Sequence, residues 1–530
     1  MSTSQYSHPS IGDFTGSRRD GILQFLGVQY ATLADRFAPP ILKEYPVNVP
    51  TPVDATKHGP QVNPGGADFE FKLLQQSLPY DASTVQTSET ECLNLNITVP
   101  ADSNGKPIAK KLPVLVFIHG GGFMNGSANF PQYDLTRLVR LSDEQGMPMI
   151  GVSVNYRLGI TGFLTSKAMQ DAGYRANNGL RDQRAGLLWL KQYVHAFNGD
   201  PENITLVGES AGAVSVAYHL HSETPLFKRA MLMSGTTLLM GPVPAAAAET
   251  TYSKAVNALG LGELSAAQAV AKLRDMDGPE LRGELMKAGV FAAPSIDGDI
   301  APSEVTWTNV MDGTLPLNGK KWCEAVVIGD CAFDGSINSL RLGHRKAGIA
   351  QSFHDSMSKS LPEHISGKLF NAYDLPANDD EAFVKILEVS NDLQFYAPTI
   401  AFAKLLSKDS EVYVYRFNEP NTWPGTFKGR TTHIHDLVFL LQNFNENLSD
   451  GQKDLAVEFA YDVIRFANGV EPWTPYHGEA RVAKVLKAGD VKIVSDEPAL
   501  TERRSIVFEI TEEIGWDVYA EAFSTWFSGA

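Results

Sequence analysis

Apolar, β-branched runs alternate along the chain with segments whose apolar residues recur at helical spacing. The clearest runs predict buried strands at residues 112–118, 149–154, 204–207, 229–233, 325–328 and 412–416. Residues 180–197 have the helical pattern, because Leu187, Leu190 and Val194 recur every three or four positions after a polar start. Strands that alternate with helices predict an α/β fold with a mostly parallel central sheet flanked by helices.

Length and composition narrow the class of protein. The chain has 530 residues, of which 43% are apolar and 20% are charged. No apolar run approaches the roughly 18 residues of a membrane helix, so we expect no membrane span. Residues 242–248 predict a loop before an alanine-rich helical region, and residues 343–376 predict a mobile or helical insertion. Because the strands occupy the middle of the chain, we expect one domain over residues 1–530 with large loop and helix insertions.

Charge and cysteine content restrict partners and compartment. The net charge is −16, from 45 basic and 61 acidic residues, and such a field repels phosphate backbones. Nucleic acid is therefore not expected as a partner. The polar N-terminus has no visible signal peptide, and three cysteines allow at most one intrachain disulfide. These features predict a reduced, cytoplasmic compartment.

A predicted strand, a sharp turn and a helix surround Ser210. Residues 204–207 run into Gly208-Glu209-Ser210-Ala211-Gly212, and an apolar helical stretch follows at residues 213–220. This is the context of a nucleophile elbow, in which glycines permit a strained turn and leave the serine hydroxyl unshielded. We therefore interpret Ser210 as a nucleophile. The alternative interpretation is an ordinary turn between a strand and a helix.

A glycine-rich loop follows the predicted strand at residues 112–118. It reads His119-Gly120-Gly121-Gly122-Phe123, and its backbone N–H groups can face a ligand because glycine has no Cβ. We expect the N–H groups of Gly121, Gly122 and Ala211 to form an oxyanion hole. A phosphate-binding loop is the alternative, but no G-K-[ST] follows. His119 is expected to brace the loop, not to act as a base.

With these motifs the sequence resembles the type-B carboxylesterase/lipase family, which includes cholinesterase-like proteins and many fungal esterases. The resemblance covers residues 21–476 and is closest to fungal carboxylesterases. Besides the elbow and the glycine loop, it rests on Phe25-Leu-Gly-Val-Gln-Tyr-Ala31, Glu91-Cys-Leu-Asn-Leu-Asn96, Asn155-Tyr-Arg-Leu-Gly159, Asn178-Gly-Leu-Arg-Asp-Gln183 and Phe197-Asn-Gly-Asp-Pro201. It implies an α/β-hydrolase fold and a serine hydrolase that cleaves carboxylic esters through an acyl-enzyme, with no metal and no cofactor.

The resemblance also implies where the catalytic acid lies. The family segment usually reads Gly-x-x-x-Asp-Glu-Gly, and the matching stretch here is Gly329-Asp-Cys-Ala-Phe-Asp334-Gly335. Asp334 takes the place of the usual glutamate and is one methylene shorter, so we expect a backbone shift to take up the difference in reach. Asp330 is the alternative acid, and either residue could instead cap the turn.

The catalytic histidine is implied by Gly429-Arg-Thr-Thr-His433-Ile-His-Asp436, because the family histidine precedes an acidic residue by three positions. His433 is therefore preferred over His435, and Asp436 is expected to support the loop. The family pattern assigns Glu209 and Ser234 supporting roles around the elbow. If the pKa of His433 is unperturbed, activity should rise as the pH passes through about 6.5.

Apart from Asp334, the sequence departs from the family pattern in three places. Cys92 matches a family cysteine, but residues 59–64 contain no partner for it, and the second family disulfide is also absent. Residues 62–91 contain no tryptophan, although cholinesterases place a cation-binding tryptophan there, so a choline ester is disfavoured. Residues 69–78 are amphipathic and are interpreted either as a lid or as an ordinary surface helix.

Other functions stay open at this point. A catalytically silent adhesion or scaffold protein has the same fold, although such proteins characteristically lack the serine. The same triad would also serve a lactone, amide or lactam hydrolase or an acyltransferase. We expect a small-molecule ester or related acyl compound as the partner. Acyl-chain length and oligomeric state do not follow from the sequence.

Overall fold

A large mixed β-sheet forms the centre of the structure. The computed structural model describes residues 2–45, 52–63, 65–102, 105–477, 481–495 and 502–529. Its strands are β1 (Ser2–His8), β2 (Gly12–Arg19), β3 (Ile22–Gln29), β4 (Ala31–Thr32), β5 (Ile41–Leu42), β6 (Val53–Asp54), β7 (Asn94–Pro100), β8 (Leu112–Ile118), β9 (Ile150–Val154), β10 (Gly199–Glu209), β11 (Arg229–Met233), β12 (Ala325–Cys331), β13 (Glu411–Phe417), β14 (Val482–Leu486) and β15 (Lys492–Ser495).

The strand order is β1-β2-β3-β7-β9-β8-β10-β11-β12-β13-β14-β15, with β6 beside β2, while β4 and β5 pair separately. Neighbouring strands from β9 to β14 are parallel, and the pairs at both ends of the sheet are antiparallel. The predicted α/β class with a mostly parallel, helix-flanked sheet is confirmed. Because parallel strands share a direction, the loops after β8, β10, β11, β12 and β13 leave the sheet at one edge.

The helices that flank the sheet are α1 (Ala67–Leu74), α2 (Thr136–Glu144), α3 (Gly159–Phe163), α4 (Lys167–Asp171), α5 (Asn178–Tyr193), α6 (Ala211–His219), α7 (Ala245–Ala258), α8 (Ala266–Asp275), α9 (Gly278–Lys287) and α10 (Trp307–Met311). They continue with α11 (Ser339–Leu342), α12 (Ile349–Ser360), α13 (Glu363–Ala372), α14 (Asp379–Asn391), α15 (Ala397–Leu406), α16 (His435–Leu441), α17 (Asp450–Ala467), α18 (Ser505–Ile514) and α19 (Trp516–Ser528). The predicted insertion at residues 343–376 is therefore largely helical. Within the described ranges, none of these helices is long and apolar enough to cross a membrane.

The continuous apolar runs of the central strands follow from burial on both faces of the sheet. Every residue of β8 is buried. Val114 and Val116 belong to one hydrophobic cluster, while Leu115 and Phe117 belong to another. Since successive side chains of a strand point to opposite faces, the two clusters form apolar layers on either side of the sheet. This two-sided core holds the strand ends that carry the site.

The strand predictions were accurate for the parallel strands from β8 to β13. Residues 112–118 and 229–233 coincide with β8 and β11, while β10 begins five residues before the predicted strand, at Gly199. Strands β1 to β7, β14 and β15 were not predicted, although β7 is buried along its whole length. The alternate side chains of β1 are exposed, and β15 is short and mostly exposed, so neither presents a continuous apolar run. Cys92, Cys323 and Cys331 are buried free thiols.

Candidate active site

Ser210 lies at a strained turn between β10 and α6. Its backbone has φ 56° and ψ −124°, a conformation that non-glycine residues rarely adopt. A Cβ atom on Gly208 would lie 2.2 Å from the backbone of Gly212, and one on Gly212 would lie 2.1 Å from the carbonyl oxygen of Ile118. The glycines are therefore required by close backbone approach. Ser210 is partly exposed, whereas Glu209 and Ala211 are buried.

The glycine loop after β8 lies directly against this turn. Gly121 and Gly122 have φ values of 97° and 62°, in the left-handed region that glycine tolerates. A Cβ atom on Gly120 would lie 2.7 Å from Oε2 of Glu209 and 3.0 Å from Cβ of Ser210. The loop thus contacts the residue pair that forms the elbow. Its backbone is placed next to the serine, as an oxyanion hole requires.

His119 packs beneath the glycine loop. Its Nδ1 atom lies 2.9 Å from the carbonyl oxygen of Gly120, and its ring stacks on that of Tyr156 with centroids 4.5 Å apart. Burial lowers the pKa of His119 to about 4, so the ring is neutral at physiological pH. This geometry fits the expected bracing role.

The loops after β12 and β13 bring Asp334 and His433 together. Nδ1 of His433 lies 2.7 Å from Oδ1 of Asp334, and both side chains are buried. The backbone N–H of Phe333 donates to the carbonyl oxygen of Thr431 at 2.9 Å, which ties the two loops to each other. Asp334 therefore reaches the histidine in spite of its shorter side chain. Its other oxygen, Oδ2, accepts from the N–H of Cys331 at 2.7 Å.

The two alternative residues make other contacts than those of this pair. Asp330 is buried and forms an ion pair with Arg504 at 3.2 Å. His435 is buried among aromatic rings, including those of Trp423 and Phe439, and burial lowers its pKa to about 3. Among the described residues neither ring nitrogen of His435 has a hydrogen-bond partner. The neutral, enclosed ring of His435 therefore has a packing role in the loop after β13.

Glu209 faces the other nitrogen of His433. Nε2 of His433 lies 3.2 Å from Oε1 of Glu209, which is completely buried. Burial raises the pKa of Glu209 well above its usual range. Burial alone lowers the pKa of His433, but the negative charges that Glu209 and Asp334 carry when ionised outweigh this effect and raise it to about 9. The pKa of His433 is therefore raised above the unperturbed value of 6.5 used from the sequence, because a carboxyl group faces each of its ring nitrogens.

Asp436 and Ser234 occupy supporting positions. Asp436 accepts a hydrogen bond from the hydroxyl of Tyr415 at 2.6 Å, which anchors the start of α16 behind His433. Ser234 is buried just after β11, next to Gly235, where a Cβ atom would lie 2.4 Å from the carbonyl oxygen of Ser210. In the described part of the chain, the Ser234 hydroxyl has no hydrogen-bond partner. The loop after β11 thus packs against the elbow from behind.

Comparison with known proteins identifies the family. The model of the carboxylesterase family matches residues 5–472. The chain belongs to the carboxylesterase family. It is 29% identical to Lipase 3 of Yarrowia lipolytica over 465 residues, which cover 85% of each chain. It is 27% identical to the para-nitrobenzyl esterase of Bacillus subtilis, covering 96% of this chain and 99% of that one. A solved structure of PNB esterase matches 95% of this chain and 99% of its own, with TM-score 0.74 and 25% identity.

The carboxylesterase assignment confirms the resemblance seen in the sequence. It establishes the protein as a serine hydrolase of carboxylic esters with the α/β-hydrolase fold, so neither a silent scaffold nor a different acyl-transfer reaction is favoured. Members of this family act on small ester substrates. The acyl chain and the alcohol that this carboxylesterase prefers are finer properties of its own pocket.

Glu70 is a buried residue of this carboxylesterase that the sequence interpretation missed. It lies on α1, whose residues Ala67, Phe71 and Leu74 are also buried while Asp68 and Lys72 are exposed, so α1 is an amphipathic helix with one buried face. Glu70 accepts hydrogen bonds from the hydroxyl of Tyr133 and the amide of Gln132. The signal was available, because positions 67, 70, 71 and 74 form one face of a helix and Glu70 is the acid on it.

Proposed function

We propose that Ser210, His433 and Asp334 hydrolyse small carboxylic esters as nucleophile, base and acid. The observation that carries this assignment is the 2.7 Å bond between Nδ1 of His433 and Asp334, which turns Nε2 of the ring toward the elbow residue Glu209. The base of a triad needs this arrangement, because one nitrogen must be held by the acid while the other serves the serine. The strained, partly exposed Ser210 supplies the matching nucleophile.

In the first half of the reaction, Ser210 Oγ attacks the ester carbonyl carbon while Nε2 of His433 takes the hydroxyl proton. The oxyanion that forms accepts hydrogen bonds from the N–H groups of Gly121, Gly122 and Ala211. Collapse of this intermediate breaks the bond to the alcohol oxygen, which leaves with the proton from His433. Asp334 holds the required tautomer and stabilises the histidine cation.

In the second half, water attacks the acyl-enzyme and His433 again takes the proton. The acid is released when the bond to Ser210 Oγ breaks and the proton returns to the serine. Glu209 and Ser234 orient the elbow and do not transfer protons in this scheme. Both are buried against groups of the site, which supports a positioning role.

We further propose that residues 1–530 act as one domain. The strands that lead to Ser210 and Asp334 are separated only by β11 in the sheet, and β13 leads to His433 from the next position. These loops are far apart in sequence, so the sheet that joins them has to fold as a unit. The helices between the strands then count as insertions into that domain.

The test combines active-site labelling with a substrate panel. A fluorophosphonate probe should label the protein and its Ser358→Ala variant, which removes an exposed serine, but not Ser210→Ala. Aryl esters of increasing acyl length, lactones and amides would be assayed with the same proteins. We expect turnover of esters, lost in Ser210→Ala. Equal labelling of Ser210→Ala would overturn the nucleophile assignment, and amide turnover above ester turnover would overturn the substrate class.

A further inference from the structure

Glu70 is enclosed in a way that is unusual for an acid. Its side chain is 2% exposed, and Oε2 accepts hydrogen bonds from the hydroxyl of Tyr133 at 2.7 Å and from Nε2 of Gln132 at 2.5 Å. Acidic side chains are rarely buried to this extent unless a cation pairs with them. In the part of the chain that the structure describes, both bonded partners of Glu70 are neutral groups. Burial therefore raises the pKa of Glu70 to about 7, although the two hydrogen bonds oppose the shift.

Tyr133 connects Glu70 to the oxyanion side of the active site. The Tyr133 ring stacks on His119, with an interplanar angle of 15° and centroids 6.4 Å apart. His119 in turn lies against Gly120, the first glycine of the loop that would hold the oxyanion. Displacement of Tyr133 would therefore loosen the support of that loop.

Glu70 also acts on the reacting groups through its charge. It contributes to the raised pKa of Glu209, and His433 contributes a lowering effect on the pKa of Glu70. Because such coupling is reciprocal, an ionised Glu70 must favour the protonated form of His433 by the same amount. Four ionisable groups therefore interact with the charge of Glu70: Tyr133, Tyr156, Glu209 and His433.

The far end of α1 is fixed to the loop that precedes His433. The carbonyl oxygen of Leu74 accepts from Nδ2 of Asn421 at 2.8 Å, and Oε1 of Gln75 accepts from the N–H of Phe427 at 2.8 Å. Together with the bonds of Glu70 to Tyr133, these contacts tie α1 to both sides of the site. In this structure α1 is thus hydrogen-bonded to segments that lead to the glycine loop and to His433.

We infer that Glu70 is a positioning residue for ester hydrolysis, which fixes α1 to Tyr133 and supplies a negative charge that stabilises protonated His433 during acyl transfer. The inference rests on the proposed function, since it takes His433 as the base. A histidine cation forms when Ser210 loses its proton and persists until the alcohol leaves. A buried anion nearby lowers the free energy of that state.

Replacing Glu70 by glutamine distinguishes the role of its charge from a role in packing alone. Glu70→Gln keeps an acceptor for the Tyr133 hydroxyl and nearly the same volume, but it removes the charge. Asp68→Asn is the matched control, because it makes the same change at an exposed position of the same helix. Both variants would be assayed for kcat/KM against pH with an activated aryl ester, beside thermal unfolding and fluorophosphonate labelling.

We expect Glu70→Gln to lower the midpoint of the ascending limb by about 0.5 to 1 pH unit, because the charge that favours protonated His433 is gone. The value of kcat should fall several-fold. Asp68→Asn should leave both unchanged. An unchanged midpoint in Glu70→Gln, or an equal shift in both variants, would overturn the inference.

A second variant covers the case in which Glu70→Gln does not fold. Tyr133→Phe removes the hydrogen bond that favours ionised Glu70, so its midpoint should also move down, and an unchanged midpoint there would overturn the inference as well. Failure of the proposed function has a different signature: the unmodified protein itself would show no ascending limb. An ascending limb that is present but insensitive to these changes would leave the proposed function intact and refute only the role of Glu70.

Discussion

Nε2 of His433 lies 3.2 Å from Oε1 of Glu209. This nitrogen has to receive the proton of Ser210, since Asp334 occupies Nδ1. Glu209 and His433 are both buried, and burial disfavours an arrangement in which each of them carries a charge. Burial therefore favours the neutral form of Glu209. Where Glu209 is neutral, Asp334 is the carboxylate in direct contact that holds the pKa of His433 above its usual value.

The first prediction concerns the pH dependence of activity. Because the base works in its neutral form, a raised pKa of His433 moves the ascending limb of kcat/KM upward, and activity is lost as the pH falls through it. We expect a midpoint above 6.5 and no higher than about 9. Steady-state rates with an activated ester, measured from pH 5 to 10, test this. A flat profile between pH 5 and 8, or a midpoint at or below 6.5, would contradict the assignment.

The second prediction concerns the length of the acid. Asp334 already lies 2.7 Å from Nδ1 of His433 and is completely buried, with its second oxygen bonded to the N–H of Cys331. An added methylene at this completely buried position should overpack it, and overpacking costs about 1–3 kcal/mol. We therefore expect Asp334→Glu to lower both kcat and the thermal midpoint, even though it restores the usual residue of the family. An equal or higher kcat for Asp334→Glu would show that the site accommodates the longer side chain, and would contradict this prediction.

The sequence predicts best the features that depend on local backbone chemistry. Ser210 was identifiable because the elbow needs glycines at fixed positions, and β8 was identifiable because both of its faces are buried. The contact between His433 and Glu209 could not be identified from the sequence. It depends on how the fold places two residues that are 224 positions apart in the chain. The same holds for Glu70, whose partner Tyr133 lies 63 residues away. Burial of these groups sets their pKa values, and burial is a property of the assembled fold.

The third prediction concerns the oxyanion hole. Gly121→Ala would place a Cβ atom 2.3 Å from the carbonyl oxygen of Asn125 at φ 97°, so the loop has to shift. Loss of one oxyanion donor lowers kcat about 10²–10³-fold. Gly173→Ala is the control, because Gly173 has φ 92° and, apart from its chain neighbours, no described residue has an atom within 4 Å of the added Cβ. Gly173→Ala should have similar backbone strain but keep kcat within a few-fold of that of the unmodified protein. A similar kcat for Gly121→Ala and Gly173→Ala would contradict the role of the glycine loop in the oxyanion hole.

The fourth prediction separates the two histidines. His433→Gln should lower kcat by about 10³-fold or more, because the general base is lost. His435→Gln should retain kcat within about ten-fold, since His435 is neutral and enclosed by aromatic rings, although its thermal midpoint should fall because a polar amide is buried there. Measurements of kcat and of thermal unfolding for both variants test which histidine is the base. A larger loss of kcat in His435→Gln would reverse the assignment.

The last prediction concerns the ion pair behind the acid loop. Arg504 lies beyond the region matched by the family model and pairs with Asp330, which is 1% exposed. Burial raises the pKa of Asp330 to about 6 even with the arginine present. Removal of one partner from a buried pair costs about 3–5 kcal/mol, so Arg504→Met should lower the free energy of unfolding by about 3 kcal/mol at pH 7.

The sign of its pH dependence gives the sharper test. Without Arg504, the pKa of Asp330 in the folded protein rises further above its value in the unfolded chain. The folded state then binds more protons than the unfolded state, so stability falls as the pH rises through this interval. Urea unfolding of Arg504→Met should therefore give a larger loss at pH 8 than at pH 5, and Asp330→Asn in the same chain should remove the difference. A loss independent of pH, or unchanged by Asp330→Asn, would place the effect in the other contacts of Arg504.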